Sequence, residues 1–202
     1  RSAAYVALGI ALENNSPCGL VCTSGTAVTN YLSGITEAYY QNIPVLAITA
    51  DKNIYEHKQF KTQLIKQENI FKNVTKCSVN LPRVINNKDD EWYCQKLIHE
   101  ALLELEDSDK GPVHINIPTL GSMTDYIIES LPKLNRIVKI DKNTDSEFWS
   151  EKTKALEGYS RILIICGQHA SFEQSTYENI EKFFEKFNCV FSVEHTSNIA
   201  FK

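Results

Sequence analysis

Residues 2–12, Ser-Ala-Ala-Tyr-Val-Ala-Leu-Gly-Ile-Ala-Leu, place apolar side chains all the way round a helical wheel. That pattern predicts a first helix that is mostly buried rather than half exposed. The Asn14–Pro17 turn ends it, and Gly19–Thr23 reads as a strand. Ser24-Gly25-Thr26 then turns the chain into a helical stretch through Tyr40, with Ala27, Tyr31, Ile35 and Ala38 at helical spacing. Strand, tight turn and helix make half of a βαβ unit. Pro44 opens a second apolar run, Val45 to Ala50, which ends at Asp51. A short helix is expected around Ile65–Phe71 and a strand around Val74–Leu81.

The strongest helical signal covers Asp89–Glu106: acidic residues lead in, and Trp92, Leu97, Ala101, Leu102 and Leu105 form a stripe. Lys110-Gly111-Pro112 breaks it, and Val113–Pro118 alternates polar and apolar residues as a strand does. Strands interleaved with helices predict an α/β fold, with a doubly wound, mostly parallel sheet covered on both faces. From Thr119 to about Tyr159 the pattern weakens, apart from one helix near Glu147–Leu156. A fresh unit follows: strand Arg161–Cys166, turn Gly167-Gln168-His169, helix Glu173–Phe187 and strand Cys189–Val193. One such unit cannot bury both faces of its sheet. The expected organisation is therefore a first α/β domain over 1–125, a linker over 126–158, and the start of a second α/β domain over 159–202, truncated at Lys202.

Composition adds exclusions. The chain has 202 residues, 43% hydrophobic and 23% charged, enough for one sizeable core and part of another. A net charge of -4 and a pI near 5.8 offer no basic footprint for nucleic acid or an anionic membrane. No apolar run approaches the roughly 20 residues that span a bilayer, which points to the cytoplasm. The chain opens on Arg1-Ser2, without a methionine and already in a helical pattern, as expected of a segment from inside a larger protein. Its six cysteines have no repeated short spacing, which argues against a disulfide framework or a zinc site. Cys18 and Cys22, four apart, face one side of a strand and read as small buried hydrophobes.

Candidate chemistry centres on Thr23-Ser24-Gly25-Thr26. An open parallel sheet places its ligands there, at the carboxyl end of a strand and the start of a helix. Gly25 lets a ligand approach the backbone, while the hydroxyls of Ser24 and Thr26 either bond a polar ring or merely cap the helix. The turn lacks the glycine spacing of dinucleotide sites and the lysine of a Walker loop. His114, on an alternating strand, reads as a satisfied structural histidine. His57 falls nearer the expected cleft, and His169 and His195 lie in the partial second domain.

The order of these segments resembles the N-terminal domain of thiamine-diphosphate-dependent enzymes, over roughly residues 1–118. The resemblance rests on Arg1–Leu12, Val21-Cys-Thr-Ser-Gly-Thr-Ala27, Glu37-Ala-Tyr-Tyr40, Pro44–Asp51 and Gly111–Pro118. Within that family it most resembles the menaquinone-pathway synthases that make 2-succinyl-5-enolpyruvyl-6-hydroxy-3-cyclohexene-1-carboxylate. The resemblance implies thiamine diphosphate as cofactor, with its aminopyrimidine against Thr23, Ser24, Gly25 and Thr26, and Asn30 supporting that loop. It implies that the ring is activated by a glutamate directly before the arginine matching Arg1, outside this chain. Gln63 and Lys52 match substrate-lining positions. Lys52 stands where the family has arginine, keeping the charge but losing the bidentate fork. The resemblance also places Mg2+ and the diphosphate on another domain, marked by a Gly-Asp-Gly run that does not occur here, and the active site between subunits of a homodimer or homotetramer.

The leading expectation is thus a segment of a 2-keto acid decarboxylase or carboligase that is inactive by itself. Asn53-Ile-Tyr-Glu56 and Phe60-Lys-Thr62 depart from the synthase pattern, so an acetolactate-synthase-like enzyme acting on another 2-keto acid stays open. So does a non-catalytic α/β module binding a phosphate or nucleotide at the turn.

Overall fold

The computed structural model describes residues 1–83, 87–107, 109–119, 130, 137–140 and 146–199. It divides into two compact units, Arg1–Lys139 and Ile140–Lys202. The expected boundary at residues 125 and 126, and the end at Lys202, lie outside the described residues.

The first unit is built on four parallel strands: β1 (Cys18–Cys22), β2 (Val45–Asp51), β3 (Cys77–Asn80) and β4 (Val113–Pro118), in the order β1-β2-β4-β3. Register places Leu20 beside Ala47, Ala47 beside His114, and Ser78 beside His114, so side chains of one parity form rows across the sheet. One face carries Leu20, Val45 and Ala47 against α1 (Ser2–Asn14) and α3 (Leu32–Tyr40), with Phe71 completing that core. The other carries Val79, Val113 and Ile115 against Ala101 and Leu105 of α4 (Lys88–Glu106). A parallel sheet buried on two faces is what the interleaved pattern predicts.

Three expectations change. The helical stretch to Tyr40 is divided into α2 (Thr26–Thr29) and α3. No helix forms over Ile65–Phe71; instead a single 3-10 turn covers Lys72–Val74. The first helix is not mostly buried: only Ala4, Ala7 and Ala11 are, whereas Val6 is 59% and Leu12 61% exposed. The reason is size. A wheel that is apolar all round does not say which side faces the core, and the alanine stripe alone admits α3 at close range.

That approach is made at Gly34, where an added Cβ would lie 2.6 Å from the Cβ of Ala4 and 3.1 Å from its carbonyl carbon. We expect Gly34→Val to destabilise the first unit by about 3 kcal/mol, the upper end for overfilling a close contact. Thermal unfolding checks this, and an unchanged midpoint would show that α1 slides freely over α3.

The second unit holds α5 (Ser146–Glu157), β5 (Ile162–Cys166), α6 (Gln174–Lys186) and β6 (Cys189–Val193), with β5 and β6 parallel. These elements match the expected ones to within one or two residues. Leu163, Ile165 and Val190 are exposed on this two-stranded sheet. Among the described residues no helix is long and apolar enough to cross a membrane.

Candidate functional site

On the α1/α3 face, the strands change character towards their carboxyl ends. Leu20, Val45 and Ala47 give way to buried Thr49, Asp51, His114 and Asn116. Buried polar groups must find partners, and here they find each other. Thr49 Oγ1 donates to Asn116 Oδ1 at 2.7 Å, so it accepts from His114 Nε2 at 2.8 Å. His114 Nδ1 is then left to accept the Ser78 hydroxyl at 3.0 Å. Asn116 Nδ2 donates to Asp51 Oδ2 at 2.8 Å, and the Lys52 backbone N–H donates to Asp51 Oδ1, also at 2.8 Å. Burial lowers the His114 pKa to about 4, so the imidazole is neutral. His114 is a satisfied core histidine, as its alternating strand suggested.

Residues 52–76 join β2 to β3. A connection this long, with no more regular structure than 3-10 turns at Ile54–Glu56 and Lys72–Val74, is usually functional. Lys58, Phe60, Gln63 and Asn69 all have left-handed φ, between 54° and 63°. Such angles are uncommon for residues other than glycine. The loop borders a cleft of about 830 Å³ at the carboxyl ends of β2, β3 and β4. Among the described residues, Lys52, Lys58, Lys66 and Arg83 line it against Asp51 and Glu68, with His57 among them. Asn80 lines it too, and its Oδ1 is a buried acceptor with no hydrogen-bond partner. Excess positive charge with an open acceptor suits a polyanionic ligand that carries a hydroxyl or N–H.

The turn at residues 23–26 follows β1. Ser24 and Gly25 are buried, while Thr23 and Thr26 are exposed. Gly25, not Ser24 or Thr26, is the N-cap of α2, and no side chain caps it. Capping therefore does not account for the hydroxyls. The Asn30 amide donates to the Thr26 carbonyl at 3.1 Å, bracing the turn from behind.

The close approach that Gly25 permits is made by the chain itself. A Cβ there would lie 2.9 Å from Gln63 Cα. Gln63 is thereby brought to the turn, whereas Lys52 lies in the cleft. Neither the turn nor Gln63 lines that cleft. Pattern reading passed over Gln67, which is fully buried, and over Arg83, Asn80 and Asn116. Lys66-Gln67-Glu68-Asn69 is polar throughout, and only the fold shows its glutamine turned inward.

Residues 1–70 match the family of the thiamine pyrophosphate enzyme N-terminal TPP binding domain. The chain is 41% identical over 169 residues to a 2-succinyl-5-enolpyruvyl-6-hydroxy-3-cyclohexene-1-carboxylate synthase of Bacteroides thetaiotaomicron, a match covering 83% of this chain. The chain belongs to the thiamine-diphosphate-dependent enzyme family. A synthase of the same description from Flavobacterium johnsoniae is 32% identical over 204 residues, covering 98% of this chain. The chain spans 30% and 35% of the lengths of these two curated relatives. Among solved structures, a thiamine diphosphate-dependent 4-hydroxybenzoylformate decarboxylase of Rhodococcus jostii aligns with a TM-score of 0.49 and 18% identity, over 80% of this chain and 30% of that one.

The donor set at the turn fits one edge of the family's cofactor. Thr23 and Thr26 are exposed, and each carries a hydroxyl able to donate to or accept from polar atoms on a ring's rim. Among the described residues no three His, Cys, Asp or Glu side chains gather where a metal could bind.

Proposed function

We propose that this chain supplies the pyrimidine-binding side of a thiamine-diphosphate-dependent decarboxylase or carboligase of 2-keto acids, of the menaquinone-pathway synthase type. One juxtaposition carries the reading. The turn at 23–26 and the Gln63 loop meet at the carboxyl end of β1, and a cation-rich cleft opens at the carboxyl ends of β2, β3 and β4 of the same sheet. When bound, thiamine diphosphate supplies the electron sink for breaking the bond between a 2-keto acid's carbonyl and carboxylate carbons. Thr23, Ser24, Gly25 and Thr26 wall the ring, Asn30 braces them, Gln63 offers its amide to the reacting substrate, and Lys52 draws a substrate carboxylate into the cleft. Mg2+ and the diphosphate belong to another domain, and the activating glutamate stands before Arg1. A homodimer or homotetramer in the cytoplasm completes the reading.

The test is to assay the full-length protein with thiamine diphosphate, Mg2+, 2-ketoglutarate and isochorismate, following release of CO2 and formation of the adduct. Turnover is expected there and not from residues 1–202 alone. Turnover of pyruvate in place of 2-ketoglutarate would move the protein to the acetolactate-synthase-like branch, and no turnover of any 2-keto acid would sink the reading.

Lys52→Ala in the full-length enzyme is expected to raise KM for a carboxylate substrate by about tenfold to a hundredfold, the loss of one charge-assisted contact. The affinity for thiamine diphosphate should stay unchanged. An unchanged KM would remove Lys52 from the substrate site.

A further inference from the structure

The turn that the proposed function assigns to the cofactor is not held by its own helix. Its backbone donor is taken by a residue far along the chain. The Gly25 N–H donates to Gln67 Oε1 at 2.7 Å. Gln67 Nε2 in turn donates to the Ala50 carbonyl at 2.9 Å and to Asn116 Oδ1 at 3.0 Å. One fully buried amide thus ties the end of β1 to the ends of β2 and β4. We infer that Gln67 is a positioning residue that sets the shape of the 23–26 turn and so the affinity of the enzyme for the aminopyrimidine ring.

Each of its three bonds has a consequence. A primary amide offers two donors and one acceptor in a fixed plane, and this site uses all three. Because Gly25's N–H is satisfied from inside, the turn presents hydroxyls to a ligand rather than that donor. Asn116, already engaged by Thr49 and Asp51, cannot swing to replace the amide. Glutamate at 67 would keep the acceptor for Gly25, but as a carboxylate it would face the Ala50 carbonyl and Asn116 Oδ1 with no proton to give. Protonated, it recovers one donor, and burial favours that neutral form. The ionisable groups around it are Asp51, reached through Asn116, His114, reached through Thr49 and Asn116, and the flanking Lys66 and Glu68.

The inference rests on the proposed function for its link to the cofactor, so the test has an arm that needs none. In the cofactor-free full-length protein, Gln67→Leu is expected to speed hydrogen exchange at least tenfold in the peptide covering residues 23–28, leaving α4 unchanged. In the loaded enzyme the thiamine diphosphate Kd, measured calorimetrically with Mg2+, should rise tenfold to a hundredfold, the range for orphaning a buried donor. The kcat at saturating cofactor should stay within about threefold. Gln67→Glu, which keeps the acceptor for Gly25 but loses both donors, should fall between wild type and the leucine variant at pH 8 and move towards wild type as the pH falls to 6, where leucine shows no recovery.

Unchanged exchange at 23–28 in Gln67→Leu would overturn the inference. So would a uniform rise across the first unit with no recovery in the glutamate variant, which marks mere loss of stability. If the wild-type protein binds no thiamine diphosphate, the proposed function falls, while the exchange arm still decides whether Gln67 sets the turn.

Discussion

Gly25→Ala is expected to be the most damaging single methyl in the first unit. Gly25 has φ 86° and ψ -143°, a combination that side-chain-bearing residues hardly enter and that costs of order 1–3 kcal/mol when forced. The new Cβ would also lie 2.9 Å from Gln63 Cα and 2.9 Å from its carbonyl carbon. Those are backbone atoms and cannot rotate aside as the end of a side chain could. Gln63 itself has a left-handed φ of 56°, so the loop has little slack to give. The strain and the contact together should cost about 3 kcal/mol or more. For a unit of this size that lowers the unfolding midpoint by roughly 10 °C. Thermal unfolding of the full-length protein reads it, with Gly19→Ala as control, since a Cβ at Gly19 meets nothing within 4 Å. The same variant should lose measurable thiamine diphosphate binding. Should Gly25→Ala unfold with Gly19→Ala, residues 25 and 63 do not press on one another and the turn loses its shape-giving contact.

How far pattern reading reached this site follows from what pattern encodes. Period and punctuation located β4 at Val113–Pro118 and β6 at Cys189–Val193 to the residue: β4 alternates polar and apolar residues after the Gly111-Pro112 breaker, and β6 is a short, mostly apolar run between polar Asn188 and Glu194. Alternation in β4 also foretold that His114 and Asn116 share a face. It did not foretell that this face would be a hydrogen-bonded network, since partners such as Ser78 come from another strand. The loop was hardest. Residues 52–76 offered only a short helix around Ile65–Phe71, which does not form, so Lys52 and Gln63 entered only through family resemblance and Gln67 did not enter at all. Their separation was equally hidden: Gln63 reaches Gly25 and Lys52 reaches the cleft, a division made by the long loop's path. Around α1, hydrophobicity was misleading for the opposite reason, being too uniform to choose a face. Side-chain volume chose it, through Ala4 against Gly34.

The network beneath the site should also make the first unit acid-labile in a definite window. Burial holds the His114 pKa at about 4, against 6.5 for the free side chain. The native state therefore binds this proton less readily than the unfolded chain does. The contribution is fully present above pH 6.5, declines as the pH falls towards 4, and is flat below that. Each tenfold step in proton affinity is worth 1.36 kcal/mol, so the whole window amounts to about 3 kcal/mol. Geometry explains why the protein resists protonation. Nε2 already donates to Thr49, and a second proton on Nδ1 would displace the hydrogen bond accepted from Ser78. Among the described residues no carboxylate hydrogen-bonds the ring; Asp51 is reached through Thr49 and Asn116, and Phe71 packs against the ring in a T-shaped pair at a centroid distance of 4.8 Å. His114→Gln is expected to cost about 1–3 kcal/mol at pH 7.5, through imperfect partners for Thr49 and Ser78. The variant should then lose less stability than wild type between pH 6.5 and 4, and the two curves should converge as the pH falls. Denaturant unfolding of both proteins across that range measures the difference directly, and parallel curves would mean that the imidazole is already charged in the native state, or is not buried at all.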